Sequence, residues 1–278
     1  MRTLYVVGTP IGNVGDITPR AREALAGALR VLAEDTRRTR VLLGQLGISG
    51  KSLIRFDAHA TPARIQSLVT AIGGGESVAL VTDAGMPAVS DPGAELVRAA
   101  REQGVRVVVV PGPSAVTAAL AVSGLVSGPF TFLAFLPRQG KKRRAALERI
   151  LRSTEPVVLF EAPSRLTETL RELAELDPAR RATLCRELTK IHEEVIHAPL
   201  AELAALDREW LGEVTLVVEQ GTGPAKAEAR EPADLDQEIA QKLSEGAHPR
   251  DLALELAKRA GVSRRTAYQR VILVKDRS

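Results

Sequence analysis

Cysteine occurs once in this 278-residue chain, at position 185. A lone thiol excludes an internal disulfide framework and any multi-cysteine zinc site. Cys185 sits in "ATLCREL", which reads as a buried strand, so an inert core thiol is expected. Aromatic residues make up only 3%. That argues against a nucleic-acid binder that works mainly by stacking bases on aromatic faces. No apolar run approaches the ~20 residues of a membrane-spanning helix. Met1-Arg2 is followed by only a few apolar residues before Gly8 and Pro10, so no secretory leader is expected and a cytoplasmic protein is. His59, His192, His197 and His248 show no paired ligand spacing, and no metal is expected. Neither a G-x-S-x-G elbow nor a Cys–His pair is present.

What is there begins with "LYVVGTPIGN", Leu4 to Asn13. A strand-like run meets glycine and proline, as at the start of many nucleotide-binding loops. The spelling excludes a phosphate cradle. A Walker loop needs Lys-Ser/Thr after its second glycine, and none follows Gly12. A dinucleotide fingerprint needs glycines running straight into a helix, whereas Pro10 removes a donor N–H. The next helix start is Thr18-Pro19, a cap followed by proline. Gly8 to Asp16 is therefore a loop of its own, either a plain βα turn or part of a ligand site.

The hydrophobic content of 45% can fill a sizeable core, and the net charge of +4 permits a polyanionic partner. Strand-like runs recur at Leu4–Val7, Val78–Val81, Val105–Val110, Phe130–Phe135, Val157–Phe160, Thr183–Arg186 and Val214–Val218. Helical patterns alternate with them: Thr18–Leu32, Pro92–Gln103, Ser114–Ser123, Lys141–Arg152 and Ser164–Leu176. The pattern predicts an α/β fold. Two α/β domains are expected, 1–125 and 126–220, joined at "VSGPFTFLAFLPRQGKKRR". A Pro/Gly/Ala-rich linker, 221–233, leads to a helical unit, 234–278. There Asp234–Ser244, Pro249–Arg259 and Ser263–Val274 read as helices, the last two spaced as in a helix-turn-helix. Arg264 and Arg265 open the last helix. They either touch RNA phosphates or form the solvated face of a small bundle.

Three further loops could carry chemistry. "LAEDTRRTRVLL" gathers Glu34, Asp35, Arg37, Arg38 and Arg40, which by itself reads as a salt-bridged helix end. "VALVTDAGMPAVSDPG" crowds Asp83, Gly85, Pro87, Asp91 and Gly93 after a strand, where ligands of open α/β sheets bind. "VVVVPGPSAV" places Pro111-Gly112-Pro113 before Ser114, a helix cap. In "CRELTKIHEEVIHAP" a charged cluster follows a strand. It is either a solvated helix face or a source of a general base. Together the loops at successive strand ends predict a ligand cleft.

"LYVVGTPIGN", "EDTRRT", "DAGMPAVSDPG", "PGPSA", "FLPR", "FEAPSR" and "RELTKIHEE" follow one another along the chain. In this set the chain closely resembles the RsmI family, S-adenosylmethionine-dependent methyltransferases of small-subunit ribosomal RNA with the tetrapyrrole-methylase fold. The resemblance covers about residues 3–219, and the C-terminal helices resemble that family's helix-turn-helix appendage. It implies a homodimer, S-adenosyl-L-methionine as cofactor and no membrane partner. It also implies methylation of a cytidine ribose 2′-oxygen in the decoding region of the small subunit, as RNA or as an assembled particle. By the same resemblance the cofactor would contact Ile11, the loop of Asp83, Gly85, Met86 and Pro87, then Ser114, Ala115, Phe160 and Leu188. Met86 stands where the family usually has a small hydroxyl residue, and Ser164 where it usually has histidine. "RFDAHAT" keeps His59 but lacks the asparagine often found after it.

A ribose hydroxyl is a weak acid, so a base or electrostatic stabiliser is expected from Glu187, Lys190, Glu193 or Glu161, which the sequence does not rank. Arg138, Lys141 and Arg143, with Lys142 and Arg144, either grip RNA phosphates or form a solvated helix start; Arg37, Arg264 and Arg265 are the further candidates for RNA contact. Two rivals stand beside this reading. A tetrapyrrole methyltransferase would not need the basic joint or the helical tail. A non-enzymatic nucleic-acid-binding regulator would not need the cleft.

Overall fold

A computed structural model describes residues 2–221, 239–245, 247–260 and 264–275. Its first sheet is wholly parallel. Strands β1 (Thr3–Val7), β2 (Arg30–Ala33), β3 (Ser52–Arg55), β4 (Ser77–Val81) and β5 (Arg106–Val110) lie in the order β3-β2-β4-β1-β5. The crossovers are α1 (Pro19–Gly27), α2 (Thr36–Gln45), α3 (Pro62–Gly73) and α4 (Ala94–Glu102). Successive strand residues face opposite sides. Leu4, Leu32, Val78 and Leu80 therefore pack with Ile65 and Leu68 of α3 and Leu96 of α4. Val31, Ala33, Ala79 and Val81 pack with Leu25 of α1 and Leu43 of α2. Covered on both faces, β4 is apolar without alternation, as parallel strands are.

One expected helix is corrected. Leu25, Leu29 and Leu32 share helical spacing, yet α1 ends at Gly27 and Arg30–Ala33 is β2. Ala28 turns extended at φ −71° and ψ 137°. Leu29 is 58% exposed, while Val31 and Leu32 are fully buried in the sheet. Burying such side chains stabilises by about 1.5–3 kcal/mol each, more than another helical turn would contribute.

The second sheet begins after α5 (Ala115–Ser123). It comprises β6 (Thr131–Phe135), β7 (Val157–Glu161), β8 (Arg181–Arg186), β9 (Glu194–Pro199) and β10 (Val214–Val218) in the order β6-β7-β10-β8-β9. β6 and β7 are parallel, and the other pairings are antiparallel. Helices α6 (Gly140–Arg152), α7 (Pro163–Leu176) and α8 (Leu200–Ala204) cover one face through Leu147, Ile150, Leu166, Leu170 and Leu203. α5 covers the other, packing on β7, β8 and β10. The charged run after β8 is likewise corrected. No helix forms there. Residues 187–193 turn back, and Glu194–Pro199 returns as β9 along β8. Cys185 is 1% exposed, and burial pushes its thiol up to about 12, the inert state expected of it.

Both sheets belong to one compact unit, 1–221, and residues 222–278 to a second. The expected boundary at 125 falls just after α5. In the second unit α9 (described over 239–244), α10 (Pro249–Ala260) and α11 (Arg264–Lys275) share a core of Ile239, Leu252, Leu256 and Val271. The expected turn at 261–263 and linker positions 222–233 lie outside the described residues. No helix among those described is long and apolar enough to cross a membrane.

Candidate active site

The loops after β1, β4 and β5 are knitted together by their backbones. Gly8 N–H donates to Val110 O at 2.9 Å, and Thr9 and Gly85 exchange both backbone bonds, at 2.9 and 3.1 Å. A Cβ on Gly8 would stand 2.7 Å from Gly112 Cα, and one on Gly112 would stand 2.8 Å from Gly8 O. These two glycines exist to let two main chains touch, not to wrap phosphate. Further along the same loop, Asn13 N–H donates to Thr189 Oγ1 at 3.1 Å, and a Cβ on Gly12 would strike the Lys190 side chain. The opening loop thus ties the first sheet to the turn after β8.

These loops enclose a cavity of about 370 Å³. Ile11 walls it from the opening loop, Gly85 and Met86 from the β4 loop, and Ser114 and Ala115 from the start of α5. Phe135 and Phe160, with ring centroids 5.6 Å apart, come from β6 and β7. Six expected cofactor residues therefore meet here: Ile11, Gly85, Met86, Ser114, Ala115 and Phe160. Asp83, Pro87 and Leu188 stand off the wall. Asp83 accepts from Asp35 N–H at 3.0 Å and pairs with Arg38 at 3.5 Å. Leu188 is buried beside Ile11 and Val116, and Pro87 is buried in its loop.

Of the four expected catalytic residues only Glu161 walls the cavity. It is 2% exposed, and its carboxylate accepts from Thr169 Oγ1 at 2.7 Å, Ala162 N–H at 2.9 Å and Arg165 Nη2 at 3.1 Å. Those bonds make it an anchor for the β7–α7 corner. Glu187 and Lys190 lock each other. Lys190 Nζ lies 2.7 Å from Glu187 Oε1 and 3.1 Å from Glu213 Oε2, and Glu213 is on the wall. Burial alone would push the Glu187 carboxyl up, but the bonds from Lys190 and Glu213 N–H and the charges of Lys190 and Arg186 outweigh it and hold it low. Burial would likewise pull Lys190 down, and its two glutamate partners overcome that and hold it up. The pair therefore stays charged. Glu193 accepts from Thr189 N–H and closes the turn.

Sequence reasoning missed the Gly212–Glu213 wall, because nothing in "EWLGEV" marks it. The segment is steadied from β8 and β9. Arg186 donates to Leu211 O at 3.3 Å, and Arg208, paired with Glu194, lies 4.1 Å over the Trp210 ring. Asp91, one of the carboxylates of the crowded loop after β4, is also on the wall.

Among the expected RNA-gripping residues, Arg143 is corrected. It is 4% exposed, and its guanidinium serves Glu172, Thr169 Oγ1 at 3.0 Å and Pro137 O at 3.2 Å. A buried fork so engaged is out of reach of a phosphate. Arg138, Lys141, Lys142 and Arg144 around it are exposed. Arg37 is exposed and pairs with Asp35, the cap of α2, at 2.9 Å. Arg264 and Arg265 begin α11.

The family model "Tetrapyrrole (Corrin/Porphyrin) Methylases" matches residues 3–204. A protein of Mesorhizobium japonicum named "Ribosomal RNA small subunit methyltransferase I" is 43% identical over 99% of this chain and 93% of its own length. One of that name from Mycobacterium tuberculosis (strain CDC 1551 / Oshkosh) is 41% identical over 97% of this chain and 94% of its own. Among solved structures, diphthine synthase covers 81% of this chain and 98% of its own at TM-score 0.59 and 19% identity. A uroporphyrin-III-C-methyltransferase from Thermus thermophilus covers 79% and 94% at TM-score 0.57 and 23% identity. These structures share the fold.

Proposed function

This chain belongs to the ribosomal RNA small subunit methyltransferase I family of the tetrapyrrole methylases, and from that premise we propose that it methylates a cytidine ribose 2′-oxygen in the decoding region of small-subunit ribosomal RNA. The donor is S-adenosyl-L-methionine, and the chain acts as a homodimer. The observation that carries the reading is the cavity, walled by residues of "LYVVGTPIGN", "DAGMPAVSDPG", "PGPSA" and "FEAPSR".

The residues present fit the donor. About 370 Å³ falls within the ~300–1,000 Å³ of small-molecule sites. Gly85 stands on the wall at φ 81°, a conformation that favours glycine, so the wall carries no side chain there. The first turn of α5 leaves N–H groups for a carboxylate. Glu213 gives the second-sheet wall a carboxylate that suits a cation. S-adenosylmethionine supplies a methyl group already made electrophilic by its sulfonium. The chain's own part is alignment and exclusion of water. Phe135 and Phe160 shield the cavity, and the Gly8–Gly112 contact fixes its loops.

The test supplies labelled S-adenosylmethionine and small subunits from cells lacking the enzyme, followed by mapping of the labelled nucleotide. A labelled cytidine ribose is expected. Label found only in a porphyrinoid would sink the reading. Substrate RNA would be gripped by Arg138, Lys141, Lys142 and Arg144, aided by Arg37 and by Arg264 and Arg265 of the helical unit. Neutralising the first four together should flatten the plot of log affinity against log salt by about 3, at ~0.7–0.9 per phosphate contact. An unchanged slope would remove that surface from the interface.

A further inference from the structure

We infer that the Asp91 carboxylate takes up the proton of the ribose hydroxyl as its oxygen is methylated. The inference rests on the proposed reaction and adds to it the group the resemblance left open.

Asp91 is the acidic wall residue contributed by the first sheet, on the loop between β4 and α4. The acids facing it from the second sheet are engaged: Glu161 by Arg165 and Thr169, Glu213 by Lys190. Among the described residues Asp91 has no such ion pair. Its neighbours are Glu34 at the end of β2, Asp83 in its own loop and the Thr82 hydroxyl. The nearby Arg38 of α2 is directed to Asp83, at 3.5 Å. The Thr82 hydroxyl donates to Glu34 Oε2 at 3.0 Å. That commits its one hydrogen to Glu34 and leaves none for Asp91. A protonated Asp91 no longer repels the Glu34 and Asp83 carboxylates, so the pocket accommodates the protonated form.

The loop holds Asp91 in place. Ala88 N–H donates to Pro92 O at 3.3 Å, and Val89 N–H to Met86 O at 3.4 Å. Ser90 stands at φ 68°, and a Cβ on Gly93 would come 2.7 Å from Leu80 Cδ2. Burial first, then the charges of Glu34 and Asp83, push the Asp91 carboxyl up to about 6 against the pull of Thr82. A group there is ionised at neutral pH yet still basic, which is what proton uptake requires.

The step balances. The hydroxyl oxygen bonds the methyl carbon while the carbon–sulfur bond breaks and sulfur keeps its electron pair. The hydroxyl proton moves to Asp91, leaving a methyl ether, a neutral thioether and a neutral carboxyl.

Two measurements test it. In single turnovers at saturating cofactor and RNA, Asp91→Asn should lose about a hundredfold or more in rate. Its cofactor affinity by calorimetry should stay near that of the wild type. The wild-type rate should rise with pH along an acid limb, and Glu34→Gln should move that limb to lower pH by removing a like charge. The second measurement uses the protein alone. A carboxyl raised from 3.8 to about 6 in the fold contributes stability below pH 3.8 that is lost by pH 6. The Tm of Asp91→Asn should therefore gain on that of the wild type between those values, then run parallel above them. That gain also shows that the variant folds. A rate for Asp91→Asn near that of the wild type overturns the assignment. So does a variant that loses cofactor affinity while turning over normally once saturated. A wild type that labels no small-subunit RNA overturns the reaction and this role with it.

Discussion

Gly112→Ala should leave a protein that binds S-adenosylmethionine at least about a hundredfold more weakly and unfolds about 2–3 kcal/mol more easily. The new Cβ would lie 2.8 Å from Gly8 C and O and 2.9 Å from Gly8 Cα. Every struck atom is main chain, so no rotamer relieves the overlap. Gly112 is not among the residues at positive φ, so alanine meets no dihedral penalty and the effect is purely steric. To make room, the loop after β5 must leave the loop after β1. That breaks the Gly8–Val110 bond and loosens the Thr9–Gly85 pair beside it. The α5 start and the β4 loop, which wall the cavity, then lose their common support. Calorimetry with the cofactor and denaturant unfolding check both halves. Wild-type affinity in Gly112→Ala would show that the close approach is not needed.

Arg143→Met should cost about 3 kcal/mol of stability, near the lower end of the range for removing one partner of a buried ion pair. Methionine fills part of the volume but offers no donors. Glu172, Thr169 Oγ1 and Pro137 O then lose their shared partner. Glu172 keeps 31% of its side chain in solvent and can recover water, which sets the lower estimate. Thr169 cannot, being fully buried, and it also donates to Glu161 on the cavity wall. The loss should therefore reach cofactor binding as a smaller, second effect. Arg143→Lys keeps the charge without the fork and should retain only part of the stability. Urea unfolding of both variants, with Glu172→Gln in a double-mutant cycle, measures the coupling. Unaltered stability in Arg143→Met would return Arg143 to the surface.

The two arginine readings show where sequence reasoning stops. In "KKRRAALERI" the four basic residues that open the stretch look alike, and only helix phase distinguishes Arg143 from its exposed neighbours. Its i+4 neighbour Leu147 and Ile150 face the same core, a hint that the apolar residues of α6 carry. The partner that makes burial tolerable, Glu172, lies 29 positions away on α7. The Thr18–Leu32 stretch fails for another reason. A four-residue strand covered on both faces has no alternation, and its leucine continued a helical spacing by chance. Residues 194–199 were obscured by the charges before them, although their inward and outward alternation is that of an edge strand.

The sequence by itself determined the α/β alternation, most strand positions, the separate helical tail and the order of the cleft loops. These are local matters of apolar period, glycine and proline, and they survive without knowledge of the partner. It also carried family membership through motifs spread along the chain. Only the tertiary structure decided which motif residues share a cavity and which charges are spent on one another. Gly8 meets Gly112, Lys190 locks Glu187, and Asp91 remains beside Glu34. Burial and electrostatic environment depend on atoms brought together from distant positions, and no local spacing encodes them.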